Sequence, residues 1–151
     1  MATADPDIPY QGAFNGRIHR FAVRVYFEDT DAGGVVYYAN YLRFLERARS
    51  DMLRALGIGQ RGPLETGEGV YAVARVDIQY RAPARLDDAL LIESEVRELR
   101  AASCLIHQRV MRGQEILTDA LVTVAFLSPG GRPKRQPRAW LEAFERLTTG
   151  G

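Results

Sequence analysis

Cysteine and histidine are scarce in this chain of 151 residues. The single cysteine, Cys104, excludes an intrachain disulfide and a zinc site built on several thiolates, and we expect it to be a buried apolar residue. The two histidines, His19 and His107, lie far apart in the sequence, which disfavours any mechanism that needs several histidines. We expect His19 to be incidental and His107 to be structural or exposed.

An excess of positive charge and long apolar runs are also missing. Twenty Lys and Arg residues face 19 Asp and Glu residues, a balance that gives no support to a nucleic-acid-binding protein. The longest apolar stretch, residues 120–127, is far shorter than the ~20 residues that span a bilayer. Residues 1–10 have no basic start and no apolar core, so we expect no signal peptide and a soluble cytoplasmic protein.

The composition is that of one globular domain, with 46% hydrophobic and 26% charged residues. We predict a flexible lead over residues 1–16 and a single domain over residues 17–148. Apolar residues recur at helical spacing from Leu42 to Leu56, before a stop at Gly57, and a short terminal helix is predicted around residues 140–147. Alternating apolar residues predict five strands, over residues 19–28, 70–80, 89–99, 103–112 and 116–127.

This order of elements predicts an α+β domain in which one long helix packs on a five-stranded antiparallel sheet. The later strands follow one another through short connections, which favours antiparallel pairing, and residues 59–69 are predicted to be a loop. One helix covers one face of a sheet. We expect the other face to carry apolar side chains, and therefore a partner subunit.

The segment before the long helix contains the most informative chemistry. Residues 28–41 read EDTDAGGVVYYANY, which places carboxylates and two glycines beside a helix N-terminus. The free N–H groups there can hold a developing oxyanion, and a nearby carboxylate can attack or activate water. An ordinary turn with a helix cap is the alternative that the residues leave open. A calcium loop is excluded, because Gly33 and Asn40 occupy positions that need ligands.

Three segments carry a family resemblance. Residues 25–49, 80–88 and 134–138 resemble the hotdog-fold acyl-CoA thioesterases of the 4-hydroxybenzoyl-CoA thioesterase type. Within that family they resemble the YbgC branch, which is associated with the Tol–Pal cell-envelope system. The match runs from about residue 19 to residue 144, and the resemblance implies a hotdog fold whose element order agrees with the predicted one.

The resemblance implies roles for individual residues. Asp31 matches the catalytic carboxylate, as nucleophile or as general base, and Tyr38 matches the position whose backbone N–H polarises the thioester carbonyl. Many members of the branch carry histidine where this chain has Tyr38, a change that a backbone contribution survives. Asp29 is expected to orient the loop. Glu46, on the helix, is the alternative catalytic residue, although an ion pair with Arg49 is the simpler interpretation.

The implied substrate is an acyl-CoA of small or medium acyl chain. Gly33 and Gly34 are expected to let the backbone approach it. No metal is expected, and no cofactor except the coenzyme A of the substrate itself. The identity of the acyl group, and the choice between coenzyme A and a carrier protein, stay open. Basic side chains expected near the phosphates are Arg100, Arg132, Lys134, Arg135 and Arg138.

Two other functions compete with hydrolysis. A hotdog dehydratase needs a histidine in the loop before the helix, and neither histidine lies there. Asp31 disfavours a non-catalytic acyl-CoA-binding or envelope-associated module. Burying a carboxylate beside a ligand costs free energy unless the carboxylate takes part in a reaction or has a partner group. The expected assembly is a homodimer that forms a homotetramer, with a functional link to the Tol–Pal system.

Overall fold

A computed structural model describes residues 5–149 and shows one antiparallel sheet with a long helix on one face. Within those residues the strands are β1 (Ala13–Asn15), β2 (Ile18–Arg24), β3 (Val70–Tyr80), β4 (Ala89–Leu99), β5 (Ser103–Arg112) and β6 (Glu115–Leu127). Their order across the sheet is β1-β2-β4-β5-β6-β3, so β3 forms one edge. The helices are α1 (Asn40–Ala55), α2 (Arg61–Thr66) and α3 (Arg138–Thr149).

Helix α1 forms the core of the domain together with the central strands. Its apolar face buries Phe44, Leu45, Ala48 and Met52 completely, against β2, β4 and β5. Gly57 follows the helix with a φ of 79°, the left-handed conformation that a helix stop requires. The predicted α+β fold with one long helix and a C-terminal helix is therefore confirmed.

Three boundaries differ from the prediction. The sheet described here has six strands, because β1 lies inside the predicted lead and pairs with β2; residues 1–4 of that lead lie outside the described residues. Helix α2 lies inside the predicted loop. Strand β2 ends at Arg24, because residues 27–29 form a 3₁₀ turn in which the Asp29 carboxylate accepts the Tyr26 N–H at 2.8 Å.

The expectation for His19 is wrong. Its side chain is fully buried, and Nε2 donates to Asp51 Oδ2 at 2.8 Å. The same carboxylate oxygen accepts the Gly12 N–H at 3.0 Å, and the Phe14 ring contacts the imidazole edge-on. His19 therefore fastens α1 to the segment that contains β1. Partly buried His107 is structural as expected, since its Nε2 lies 2.6 Å from Asp119 Oδ1.

The face of the sheet away from α1 also differs from the prediction. Charged pairs cover much of it, including Arg109 with Glu93 at 2.9 Å, and these separate apolar residues such as Leu121. The contiguous apolar surface lies instead on the helix side of β3. Val73 and Val76 pair with inward-facing Val124 and Val122, yet remain exposed because α1 packs on the other strands.

Cys104 is buried in the core, as expected, with 1% of its surface exposed. Its thiol donates weakly to Gln136 Oε1 at 3.6 Å, and burial raises its pKa to about 12. Among residues 5–149, no helix combines the length and the apolar character that crossing a bilayer requires.

Candidate active site

Asp31 lies in a tight turn immediately before α1. Its Oδ1 accepts the Gly33 N–H at 2.8 Å and the Val35 N–H at 3.4 Å, while its backbone N–H donates to the Val35 carbonyl at 2.8 Å. No residue among 5–149 donates a hydrogen bond to Oδ2 in this arrangement, and the side chain is exposed. One carboxylate oxygen is thus fixed by the backbone, and the other is open to a reactant.

Asp29 connects this turn to the start of the helix. Its backbone carbonyl accepts the Tyr37 N–H at 3.0 Å and the Asn40 side-chain amide at 2.8 Å. Its buried carboxylate accepts the Tyr26 N–H, as described above. Asn40 is the first residue of α1, so its side chain reaches back to the loop rather than capping the helix. These contacts agree with the predicted orienting role of Asp29.

Tyr38 stands two residues before α1, where backbone N–H groups have no partner inside the helix. Within residues 5–149, its own N–H has no hydrogen-bond acceptor. Its carbonyl accepts the Tyr80 hydroxyl at 3.0 Å, which fixes the backbone against the end of β3. An open cavity of about 280 Å³ adjoins Tyr38 and includes Tyr41, Tyr80 and Pro83 in its wall. The predicted carbonyl-binding position therefore has a free donor beside open space.

Tyr80 was missed at the level of sequence, whereas Tyr41, for which the sequence favours a packing role, is buried. The Tyr41 hydroxyl accepts the Ala84 N–H at 2.9 Å, and desolvation raises the pKa of both phenols, so they are neutral at physiological pH. The alternation of β3 indicates that Tyr80 faces α1. Nothing in the sequence indicates that its hydroxyl meets Tyr38.

Gly33 and Gly34 shape the turn itself. Gly34 has a φ of 80°, and its N–H donates to the Asp31 carbonyl at 3.1 Å. A Cβ at Gly33 would lie 3.3 Å from Asp31 Oδ1. Both N–H groups are thus engaged by Asp31, and the predicted contact with substrate rests on the small size of these residues.

Glu46 is separated from Asp31 by the first turns of α1. Its Oε1 accepts the Ser50 hydroxyl at 3.0 Å, and Arg49 donates to Gln108 Oε1 at 3.0 Å, so the expected ion pair between Glu46 and Arg49 is not formed. Both residues line a cavity of about 130 Å³ between α1 and β3. Desolvation lowers the pKa of the Arg49 guanidinium, while Glu46 opposes that shift.

The predicted basic residues meet along one rim of the sheet. The Gln136 N–H donates to the Ala101 carbonyl at 2.8 Å, which brings the segment 132–138 beside the turn that carries Arg100. Several of the cations are engaged: Arg100 pairs with Glu98, Arg138 pairs with Glu142, and Lys134 donates to the Glu68 carbonyl. Arg132 and Arg135 are exposed, and neither forms an ion pair with a carboxylate of residues 5–149.

Comparisons with known proteins all match this chain to thioesterases. The family model described as "Thioesterase superfamily" matches residues 33–118. The chain is 45% identical to the acyl-CoA thioesterase YbgC of Haemophilus influenzae over 84% of this chain and 94% of that protein. It is 39% identical to the acyl-CoA thioester hydrolase YbgC of an Escherichia coli strain, over 87% of this chain and 99% of that protein.

Solved structures agree with this match. A probable thioesterase from Bartonella henselae superposes with a TM-score of 0.75 at 35% identity and covers 80% of this chain and 99% of its own. A 1,4-dihydroxy-2-naphthoyl-CoA thioesterase from Synechocystis has a TM-score of 0.80 at 21% identity, covers 86% and 97% of the two chains, and supports the fold alone.

Proposed function

Because this chain belongs to the thioesterase superfamily, we propose that it hydrolyses acyl-CoA thioesters with Asp31 as the reacting carboxylate. The protein is a thioester hydrolase with the hotdog fold that the sequence resemblance implies. The observation that carries the role of Asp31 is its geometry: the backbone of the turn fixes one carboxylate oxygen, and the other is open. The non-catalytic alternative is not favoured.

In the proposed reaction the thioester carbonyl oxygen accepts the Tyr38 N–H, which stabilises the charge that develops on it. In one route, Asp31 Oδ2 attacks the carbonyl carbon, the C–S bond breaks, and water hydrolyses the resulting anhydride. In the other, Asp31 takes a proton from the attacking water and passes it to the departing sulfur of coenzyme A. Neither route calls for a metal or for a cofactor beyond the substrate.

Asp31→Asn tests the proposal. An asparagine oxygen still accepts the Gly33 N–H, so we expect the fold to persist while thiol release falls roughly 10²–10⁴-fold. Glu28→Gln, at an exposed carboxylate of the same loop, is the matched control and keeps its activity. Full activity in Asp31→Asn would remove Asp31 from the mechanism.

Single turnover in ¹⁸O-labelled water separates the two routes. Attack by Asp31 puts solvent oxygen into its carboxylate when the anhydride is cleaved at the Asp31 side, whereas a general base stays unlabelled. Mass analysis of the peptide that contains Asp31, after one turnover with enzyme in excess over substrate, measures whether the carboxylate is labelled. Label in the Asp31 carboxylate demonstrates the anhydride route, and its persistent absence excludes an anhydride that is cleaved at the Asp31 side.

We also propose that the enzyme works as a homodimer joined along β3. The strand is an edge of 11 residues whose outer N–H and C=O groups have no strand partner in the described chain, and its helix-side surface is apolar. A second copy paired antiparallel supplies both missing contacts. The charged outer face of the sheet is the surface on which two dimers would form a tetramer.

Antiparallel pairing has a consequence for the site. Tyr80 and Tyr38 lie at one end of β3, while the cavity that contains Glu46 adjoins Tyr71 and Val73 at the other, roughly 22–31 Å away along the strand. A two-fold axis through the middle of β3 brings the Asp31 turn of one copy near the cavity of the other. The proposed site is therefore shared between subunits.

The remaining proposals concern the phosphates of the substrate, the location of the enzyme and its functional link. The rim that contains Arg100 and the segment 132–138 would hold the phosphates of coenzyme A, with exposed Arg132 and Arg135 as the free cations. We propose a cytoplasmic location, where CoA thioesters are made, and a functional link to the Tol–Pal system by similarity to the YbgC branch.

A further inference from the structure

One segment of the chain covers the cavity between α1 and β3 without belonging to the core. We call residues 59–68, which include α2, the flap. Every flap residue whose exposure is described is exposed, except half-buried Pro63. The flap therefore gains little from burial, in contrast to the elements on either side of it.

The two ends of the flap are firmly held. Ile58 is buried, and its N–H donates to the Leu53 carbonyl at 2.8 Å. Gly69 is packed so closely that a Cβ would lie 2.6 Å from the Leu127 carbonyl and 2.7 Å from the Phe126 ring. Fixed ends with an exposed middle are the arrangement of a hinged segment.

The flap forms the outer wall of a continuous cleft. The cavity of about 130 Å³ and a second one of about 390 Å³ share Glu46, Ser50, Gln60 and Tyr71. Trp140 is in the wall of the second cavity, together with Arg61 and Pro63 of the flap. A cavity of about 150 Å³ holds one benzene ring, so the inner cavity has room for about six carbon atoms. A longer chain must enter the part that the flap covers.

Among the described residues, two side-chain hydrogen bonds join the flap to the body of the domain. Gln60 Nε2 donates to Ser50 Oγ at 3.3 Å, and Lys134 Nζ donates to the Glu68 carbonyl at 2.7 Å. Both residues of the first bond line both cavities. This bond is long for a hydrogen bond and exposed to water, so breaking it costs little.

We propose that the flap sets the length of the acyl group that the enzyme accepts, with the hydrogen bond between Gln60 and Ser50 as its catch. Short acyl groups fill the inner cavity with the catch closed. Longer ones must open the catch and then contact Trp140. The inference rests on the proposed acyl-CoA hydrolysis at a site shared between subunits, and it adds a specificity element to that site.

The test compares kcat/KM for butanoyl-, octanoyl- and dodecanoyl-CoA in the full-length enzyme. Gln60→Ala removes the catch alone, whereas Ser50→Ala also removes the hydrogen bond to Glu46. In Gln60→Ala we expect the ratio of dodecanoyl to butanoyl activity to rise about twofold, as for the loss of a weak neutral hydrogen bond. Adding Gln60→Ala to Ser50→Ala changes the ratio no further, because Ser50→Ala has already removed the bond between the two residues. Glu65→Ala, on the exposed side of α2, leaves the ratio unchanged.

Trp140 gives a second measurement that does not depend on turnover, because it is the only tryptophan of the chain. A non-hydrolysable dodecyl-CoA thioether should change its fluorescence, whereas butyl-CoA thioether and coenzyme A alone should not. An unchanged chain-length ratio in Gln60→Ala and Ser50→Ala, with normal Asp31-dependent hydrolysis, overturns the flap alone. Absence of all hydrolysis, with Trp140 still responding to the long thioether, contradicts the proposed function and supports the flap.

Discussion

At the scale of single residues, burial separates the two aspartates of the loop. Asp29 is 7% exposed and uses its carboxylate to hold the Tyr26 N–H, whereas exposed Asp31 keeps one oxygen unengaged. The spacing of the sequence does not distinguish the two aspartates, and only the family resemblance indicates which of them is the catalytic carboxylate. The structure supplies the physical difference, which is the direction in which each side chain leaves the backbone.

Asp29→Ala should damage both stability and activity. The change leaves the Tyr26 N–H without its acceptor and loosens the loop that holds the start of α1, at a cost of about 1–3 kcal/mol of unfolding free energy. Urea unfolding together with thiol release measures both effects. Glu28→Ala is the neighbouring control and should change neither.

His19 illustrates a residue whose importance comes entirely from the fold. Its Nε2 proton is donated to Asp51, which leaves Nδ1 buried with no hydrogen-bond partner among residues 5–149. Protonation of Nδ1 would bury an unpaired donor. The sequence shows a histidine at the start of a strand, but the carboxylate that it meets is 32 residues away on α1.

Stability should therefore fall in mild acid. Burial lowers the pKa of His19 below 6.5, more than the Asp51 hydrogen bond and charge raise it. The unfolded chain binds this proton below about pH 6.5 while the native chain resists it, so the contribution is complete above that pH and is lost as the pH falls toward the folded pKa. Denaturant unfolding from pH 8 to pH 5 should show the decline. His19→Gln should show a smaller decline, and an equal one would exclude His19 as its source.

At the scale of elements, the sequence predicted the long segments and missed the short ones. The bounds of strands β3 to β6 lie within one residue of the prediction, and α1 lies where its apolar stripe indicated. These segments are long, so many alternating or helically spaced residues indicate the same element. β1 has three residues, too few to show alternation. α2 contains Gly62 and Pro63, which are typical of a loop.

Gly69→Ala should be the costliest glycine substitution of the connection that precedes β3. Its φ of 153° and its contacts with Leu127 and Phe126 leave no space for a methyl group, so unfolding free energy should drop by about 2–4 kcal/mol. Thermal and urea unfolding measure the loss. In Gly59→Ala the new Cβ has no atom within 4 Å. A comparable loss of unfolding free energy there would mean that the loss at Gly69 comes from reduced backbone flexibility rather than from crowding.

Charge reversal at the rim that contains the segment 132–138 should change KM and kcat to different extents. Reversing charge in Arg132→Glu/Arg135→Glu should raise KM for acyl-CoA, while kcat changes little, because these exposed cations would contact phosphates away from the reacting carbonyl. Acyl-pantetheine, which lacks the nucleotide, serves as the matched substrate. A similar rise in its KM would mean that the cations act on something other than the phosphates.

At the scale of the whole molecule, β3 is an exposed edge of the sheet. The outer backbone groups of its 11 residues pair with no strand of residues 5–149, and Val73, Val76 and Tyr80 remain exposed on the side that α1 leaves uncovered. The sequence predicted a partner subunit but placed the apolar surface on the opposite face. Periodicity identifies the two faces of a strand; it does not say how far across the sheet a helix of 16 residues reaches.

Val76→Lys should convert the proposed dimer to monomers. A charge on this surface would be buried without a partner in the paired edge, while the isolated chain keeps its core because Val76 is already exposed. Light scattering after gel filtration gives the mass, and thiol release should fall with dissociation if the site is shared. Leu86→Lys, at another exposed apolar residue in a turn, should remain dimeric and active.

The isolation of Cys104 has a practical consequence for studying this enzyme. A lone, fully buried thiol with a pKa of about 12 does not consume the reagents that detect released coenzyme A, so the native protein is a clean background for that assay. A cysteine introduced at an exposed flap position such as Glu65 would accordingly be the one reactive thiol of the chain. A dye or spin probe attached there could follow the opening of the flap during turnover.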